Sequence, residues 1–283
     1  MSINSGWITT SSGLKIPRLL YGTAWKKEHT SDLVVKALQA GFTGIDTACQ
    51  PKHYNEPQVG EAIERVKEFG IEREKIFIQT KFTPLNGQDP NQIPYDKNAP
   101  IELQVAQSFE VSKKNLQTKY VDSLVLHSPI FPHSELMLVW NAMERIYEDE
   151  GALQLGISNC YDLNTLQKLY SDSTVKPTIL QNRFYNESGY DIDLRNWCSD
   201  NGIIYQSFWS LTANPYILNS KSVVEIAKAY SKTVEQIFFR FLSQSNIVPL
   251  TGTTSQKHMI EDLSIFEFEL TTNELEIIKS LLK

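Results

Sequence analysis

Short apolar runs alternate with longer stretches of helical period along the whole 283-residue chain, and that alternation leaves few folds open. Runs at 18–22, 42–46, 76–81, 122–127, 153–158, 178–181, 203–208 and 247–251 are too short for helices. They are rich in Ile, Val, Leu and Phe, as buried strands are. Between them, apolar residues recur every three to four positions over 32–40, 58–69, 101–118, 135–150, 164–169, 192–200 and 223–241, which predicts helices. Gly41, Gly70, Gly151 and Gly202 follow several of these helices, where a left-handed cap is wanted. Strand and helix in strict series pair the strands in parallel through right-handed crossovers. Eight such units use the full length with no remainder. A closed α/β barrel of the (β/α)8 TIM type, one domain over 1–283, therefore fits better than a doubly wound sheet.

Two segments stand outside the repeat. Trp7–Thr10 and Leu14–Ile16, joined by Ser11-Ser12-Gly13, predict a small N-terminal hairpin at the barrel's bottom. The stretch 84–100 carries four prolines and a glycine among Asn, Asp and Gln. It cannot be an interior strand or a helix, and a loop of that length after a strand is expected to wall a pocket. Twenty-seven basic against thirty-three acidic residues give a net charge of -6, which disfavours a nucleic-acid or anionic-membrane partner. Cys49, Cys160 and Cys198 are odd in number and widely spaced, suiting a reducing compartment rather than a disulfide frame or a zinc site. Residues 1–10 lack a basic segment followed by an apolar run, and no apolar run reaches membrane-spanning length. A cytoplasmic protein is expected.

The chemistry gathers at strand ends. Asp46, Lys81 and His127 close the second, third and fourth runs, and Tyr54 follows the first of these by a short loop. In a barrel the active site lies at the carboxyl ends of the strands, so the four would share a rim. A free phenol, with a pKa of about 10, is a poor acid near neutrality. A nearby ammonium lowers that value, and Asp46 would keep Lys81 charged. His127 could orient the same carbonyl oxygen. Each residue alone has an ordinary reading: a turn cap, a surface ion pair, a hydrogen-bonded core histidine. Their joint position on neighbouring strands outweighs those readings.

At these residues the chain resembles the aldo-keto reductases, NAD(P)H-dependent barrel enzymes that reduce aldehydes and ketones. Gly41-Phe42-Thr43-Gly44-Ile45-Asp46-Thr47-Ala48, Tyr54-Asn55-Glu56, Val59-Gly60-Glu61-Ala62-Ile63 and Leu126-His127-Ser128-Pro129 are similar to blocks of that family. The resemblance implies Tyr54 as general acid, assisted by Asp46, Lys81 and His127. It implies cofactor contacts from Gly22 and Thr23 after the first strand, and from Ser158, Asn159 and Gln181 around the nicotinamide carboxamide. Phe208 would lie on the nicotinamide face, although a core position also suits it. Trp209, Ser210 and Leu211 after the seventh strand, and Asp262 further on, complete that set. No G-x-G-x-x-G opens a helix after a strand, so phosphate binding is expected instead at Thr251-Gly252-Thr253-Thr254 before the next helix. An ordinary N-cap is the alternative there.

Departures from the family accompany the match. Tyr54 lies eight residues after Asp46, through a loop longer than most members have, and His53 beside it is a rival acid. The arginine expected at the adenosine 2′-phosphate falls at His258, Thr254 stands where some members have lysine, and Lys257 offers a point charge without arginine's fork. NADP(H) is expected ahead of NAD(H), with no metal. Trp209 replaces a small serine. Phe82, Trp25, Phe131 and Trp209 are expected to line an apolar pocket for a small carbonyl substrate, and the protein is expected to be a monomer. Two other functions compete: a cofactor-binding scaffold or regulatory subunit with vestigial chemistry, and a barrel hydrolase or isomerase using Asp46 and His127. The second lacks metal-ligand spacing among the five histidines.

Overall fold

The computed structural model describes residues 6–283; residues 1–5, part of the 1–10 segment read for a leader, lie outside the described residues. Among the described residues, a hairpin of β1 (Trp7–Thr9) and β2 (Lys15–Pro17) precedes eight parallel strands that close into a barrel. These are β3 (Leu20–Gly22), β4 (Gly44–Asp46), β5 (Phe77–Phe82), β6 (Ser123–Leu126), β7 (Leu155–Ser158), β8 (Ile179–Arg183), β9 (Ile204–Phe208) and β10 (Ile247–Thr251). Each pairs with the next in chain order, and β10 returns to β3 through Leu250–Leu20 and Thr251–Tyr21. The fold is the (β/α)8 barrel that the alternation implies.

Side chains alternate faces along a strand, and the alternation sorts the barrel into layers. Inside, Leu20, Phe77, Ile179, Ile204 and Val248 form an apolar floor, and Ile16, Ile8 and Leu14 of the hairpin pack against it. The hairpin thus plugs the amino-terminal mouth. Two residues further on stand Gln79, Gln181 and Gln206, and two further again Lys81, Arg183 and Phe208. The outward positions, among them Ile78, Leu180, Tyr205 and Ile247, join the main core beneath the helices. Polarity therefore rises inside the barrel from floor to rim.

The surrounding helices are α1 (Thr30–Ala40), α2 (Glu56–Val66), α3 (Ile101–Leu116), α4 (His133–Glu148), α5 (Leu163–Asp172) and α6 (Ile192–Asp200). They continue with α7 (Pro215–Leu218), α8 (Lys221–Tyr230), α9 (Val234–Gln244), α10 (Gln256–Leu263) and α11 (Thr272–Lys279). The single helix expected over 223–241 is two. Ser231, at φ 54, ends α8 in the left-handed region, and Thr233 opens α9 with a capping box to Gln236. The apolar period runs on across the break, while the reciprocal cap satisfies backbone groups that a continuous helix would have paired internally. The 84–100 loop is neither helix nor barrel strand, as expected. It holds a short turn at Leu85–Gly87 and packs inward: Tyr95 Oη donates to Thr83 O at 2.9 Å, and Gln88 Nε2 to Cys49 O at 3.0 Å. No helix among the described residues is long and apolar enough to cross a membrane.

Helices α2 and α3 meet closely. A Cβ on Gly60 would run into the Asn115 carbonyl oxygen. Beside that contact the buried Glu56 accepts from Ser112 Oγ at 3.0 Å and Asn115 Nδ2 at 3.2 Å, both on α3, and from Thr80 on β5. Burial pushes its carboxyl above the usual range against these bonds. Gly60→Ala should therefore force the helices apart and cost roughly 1–3 kcal/mol as an overpacking change, read as a shift in the urea unfolding midpoint with the slope preserved.

Candidate active site

Asp46 and Lys81 reach the barrel interior from β4 and β5, neighbours in the sheet, and form a buried ion pair. Lys81 Nζ donates to Asp46 Oδ1 at 2.8 Å, to Asp46 Oδ2 at 2.7 Å and to Thr47 O at 2.8 Å, which uses its three hydrogens. Asp46 Oδ1 also accepts from Gln79 Nε2 at 2.8 Å and Gln181 Nε2 at 3.0 Å. Both amides in turn donate to Gln206 Oε1, at 2.7 and 2.9 Å. Burial pulls the Lys81 ammonium down and Asp46 holds it up.

Tyr54 joins this pair from the loop after β4. The chain turns back on itself there, with His53 N and Tyr54 N both donating to Gln50 O, at 3.1 and 3.0 Å. Gln50 Nε2 donates to Gly87 O at 2.6 Å, and Trp25 N to His53 O at 2.7 Å, so the turn is tied to two other loops. The extra length is absorbed, and the Tyr54 ring centre lies 5.3 Å from Lys81 Nζ and 5.9 Å from the His127 ring centre. His53 instead stacks on Trp25, ring centres 3.9 Å apart. One expectation needs correcting. The phenol of Tyr54 is not lowered by Lys81 but pushed above its ordinary value, first by burial and then by the Asp46 charge. With its hydrogens spent on Asp46 and Thr47, Lys81 presents the phenol with a neutralised pair rather than a free cation.

His127, one residue beyond β6, pairs Nδ1 with Thr83 Oγ1 at 2.7 Å. Burial, followed by the charges of Lys81 and His53, holds its imidazole well below the ordinary 6.5. These residues open on a cavity of about 900 Å³ at the carboxyl ends of the strands. Its wall includes Asp46, Tyr54, Thr83, His127, Ser158, Asn159, Gln181, Arg183 and Phe208 to Leu211, and beyond them Gly22, Thr251 to Thr253, His258 and Asp262.

A family model described as Aldo/keto reductase family matches residues 18–221. The chain belongs to the aldo/keto reductase family. It is similar to the uncharacterized oxidoreductase YtbE of Bacillus subtilis, 30% identical over 277 residues, covering 96% of this chain and 91% of that one. It is also similar to the glyoxal reductase of the same organism, 29% identical over 255 residues, covering 90% and 84%. Among solved structures, an aldo/keto reductase from Brucella melitensis superposes with a TM-score of 0.81 at 26% identity, covering 97% of this chain and 98% of that one.

The cavity wall across from Tyr54 is built from β7, β8 and β9. Asn159, at φ 52, donates its Nδ2 to His127 O at 2.8 Å, and Ser158 Oγ donates to Gln181 O at 2.7 Å. With the Asn159 and Gln181 amide hydrogens engaged inside the protein, their amide oxygens are the acceptors left for a carboxamide NH2. Beside the flat ring of Phe208, that pair of acceptors suits a planar primary carboxamide. At the other end Thr251 Oγ1 donates to Asp262 Oδ2 at 2.7 Å, and burial raises the Asp262 carboxyl to about 6. Buried Lys26 donates to Gly252 O at 2.7 Å, its ammonium lowered by burial to about 8. A cation beside a threonine-glycine loop suits a phosphate.

Several expected residues stand elsewhere. Thr23 is buried and donates to Asp46 O at 2.9 Å, bracing β4 rather than facing the cavity. Thr254 and Lys257 are not part of the cavity wall, and Lys257 faces Glu261 at 3.6 Å on the outside of α10. Trp25 and Trp209 line the cavity, but Phe82 is buried behind β5 against Tyr95, ring centres 5.7 Å apart, and Phe131 is 68% exposed away from the wall. Of the 84–100 loop, Gly87 reaches the wall. Residues overlooked in the sequence are Gln79, Gln206, Thr83, Lys26 and Arg183. The first two carried a readable signal, a polar side chain on the inward phase of an apolar strand.

The state of His127 has a measurable consequence. Below pH about 6.5 the unfolded chain takes up a proton on this imidazole that the folded chain refuses, so the unfolded state binds more protons and stability falls with falling pH. Between pH 6.5 and about 5 the loss from this group reaches up to about 2 kcal/mol. His127→Gln should lose less stability than wild type over that interval by urea unfolding; equal losses would contradict a neutral buried imidazole.

Proposed function

We propose that this protein reduces aldehydes or ketones to alcohols with a nicotinamide cofactor, NADP(H) ahead of NAD(H), and that Tyr54 donates the proton. The observation that carries the reading is the convergence of the Tyr54 and His127 rings on the Lys81–Asp46 pair, at a cavity whose far wall fits a nicotinamide. Bound NAD(P)H would supply the hydride. The chain's own residues then have the remaining work. Thr83 Oγ1, donating to His127 Nδ1, would leave the imidazole hydrogen on Nε2, where it can hold a carbonyl oxygen. Tyr54, kept protonated by burial, holds the proton that the developing alkoxide takes. The neutralised Lys81–Asp46 pair fixes the floor beneath both. The turn that returns Tyr54 to the rim favours chemistry over a purely scaffolding role. For NADP(H), His258 in the cavity wall stands where Lys257 does not, and Lys26 lies behind the wall against the Gly252 carbonyl. We extend the reading to a cytoplasmic monomer acting on a small carbonyl substrate, supported by three buried free cysteines and a net charge of -6.

An aldehyde panel including 4-nitrobenzaldehyde and, because one relative is a glyoxal reductase, glyoxal tests the activity with NADPH and NADH. Tyr54→Phe should lower kcat by about 10²–10⁴, the usual worth of a positioned general acid, while the NADPH Kd from fluorescence quenching stays near wild type. A mutant rate equal to wild type would remove Tyr54 from the mechanism. With the phenol raised, kcat for reduction should stay level from about pH 7 to 9 and fall only at higher pH, whereas alcohol oxidation should climb throughout. A reduction rate already falling near pH 7 would mean that Lys81 does lower the phenol.

A further inference from the structure

Arg183 stands at the rim with no counter-charge among the described residues. It ends β8 two residues beyond Gln181, on the inward phase, in register with Phe208 of β9. Its guanidinium lies 4.2 Å from the Trp209 ring centre and 5.2 Å from that of Tyr185. Nε is buried without a hydrogen-bond partner, and among the described residues no ion pair or side-chain hydrogen bond engages the rest of the group. A buried donor left unmade is costly, and a guanidinium more so. Trp209 holds its place over the cation from the left-handed region, at φ 57, a strained conformation for a bulky side chain. It remains 48% exposed. Strain held at a cavity wall, beneath an unpaired cation, points to a ligand rather than to packing.

We infer that Arg183, clamped by Trp209, is an oxyanion-recognition site in the wall of the main cavity, taking a carboxylate or phosphate of the bound molecules. The guanidinium's planar fork suits both groups, and aromatic stacking fixes its plane without neutralising it. The strand order puts β8 on the opposite side of the barrel from β4, whose following loop carries Tyr54. A carbonyl compound held at Tyr54 and bearing an acid at its far end would span the mouth to Arg183. The cofactor's phosphates are the other source of the same chemistry. Only the substrate arm rests on the proposed reductase activity.

Arg183→Met, Arg183→Lys and Trp209→Ser are compared with wild type, and Lys221→Met on α8 controls for net charge. Calorimetry gives the Kd of NADPH, NADH and ADP-ribose, and turnover gives kcat/KM for 4-carboxybenzaldehyde against its methyl ester. If the anion is the substrate's, Arg183→Met lowers the acid-to-ester ratio at least about tenfold, Arg183→Lys retains part of it, and Lys221→Met leaves it in place. If it is the cofactor's, Arg183→Met weakens all three nucleotides at least about tenfold, or NADPH alone where the 2′-phosphate is the target. Either pattern supports the site. A ratio and three affinities all within roughly twofold of wild type overturn it. If wild type reduces no aldehyde, the reductase reading fails, and the calorimetric arm still decides whether Arg183 holds the cofactor's phosphates.

Discussion

The buried ion pair between Lys81 and Asp46 organises the carboxyl end of the barrel, because two charges taken out of water must be satisfied by each other and by every hydrogen bond in reach. Lys81 spends its three hydrogens on Asp46 and Thr47, and Asp46 collects two further amide donors. Gln79, Gln181 and Gln206 close the circuit, so β4, β5, β8 and β9 are held in one network beneath the cavity. Such a network is worth most when complete and is a liability when broken. It also sets the chemistry above it. A lysine facing a carboxylate this closely offers little net charge to a nearby phenol, and burial and Asp46 therefore govern Tyr54.

The layering of the barrel explains why reactivity gathers at one end. The floor is apolar and plugged by the hairpin, the middle layer is amide, and the rim carries Lys81, His127 and Arg183. The cavity opens at the rim, among the loops that follow the strands. The long Asp46–Tyr54 loop belongs to this end and is tied down by Gln50 to Gly87 and by Gln88 to Cys49. The proline-rich 84–100 segment thus does less as a substrate wall than as a brace for the tyrosine. A loop of unusual length is compatible with a positioned phenol when its backbone groups are paired.

Much of this was legible residue by residue. Eight apolar runs in alternation with helical period imply parallel strands, and Asp46, Lys81 and His127 at their ends imply a shared rim. The period of two along each strand carries more than this. Since Lys81 points inward, Phe82 must point outward, and it does pack against Tyr95 rather than in the pocket. The same rule marks Gln79 and Gln206 as inward. Other features had no local signal. The break at Ser231 hides beneath an unbroken apolar period, because a capping box interrupts the backbone without interrupting the core-facing face. Lys26 reads as one of several loop lysines until the fold sets it against Gly252.

The sequence by itself determined the barrel and its hairpin and marked Asp46, Lys81, Tyr54 and His127 as candidates, since strand period, turn chemistry and strand-end polarity are local properties. Only the tertiary structure decided that the lengthened loop returns Tyr54 to Lys81 and His127. It alone decided that Lys81 is neutralised by Asp46, that Lys257 stands outside the cavity, and that Arg183 meets Trp209 without a counter-charge among the described residues. Each of these depends on distances between residues far apart in the chain, and electrostatic energies turn on such distances and on burial, which no one-dimensional pattern encodes.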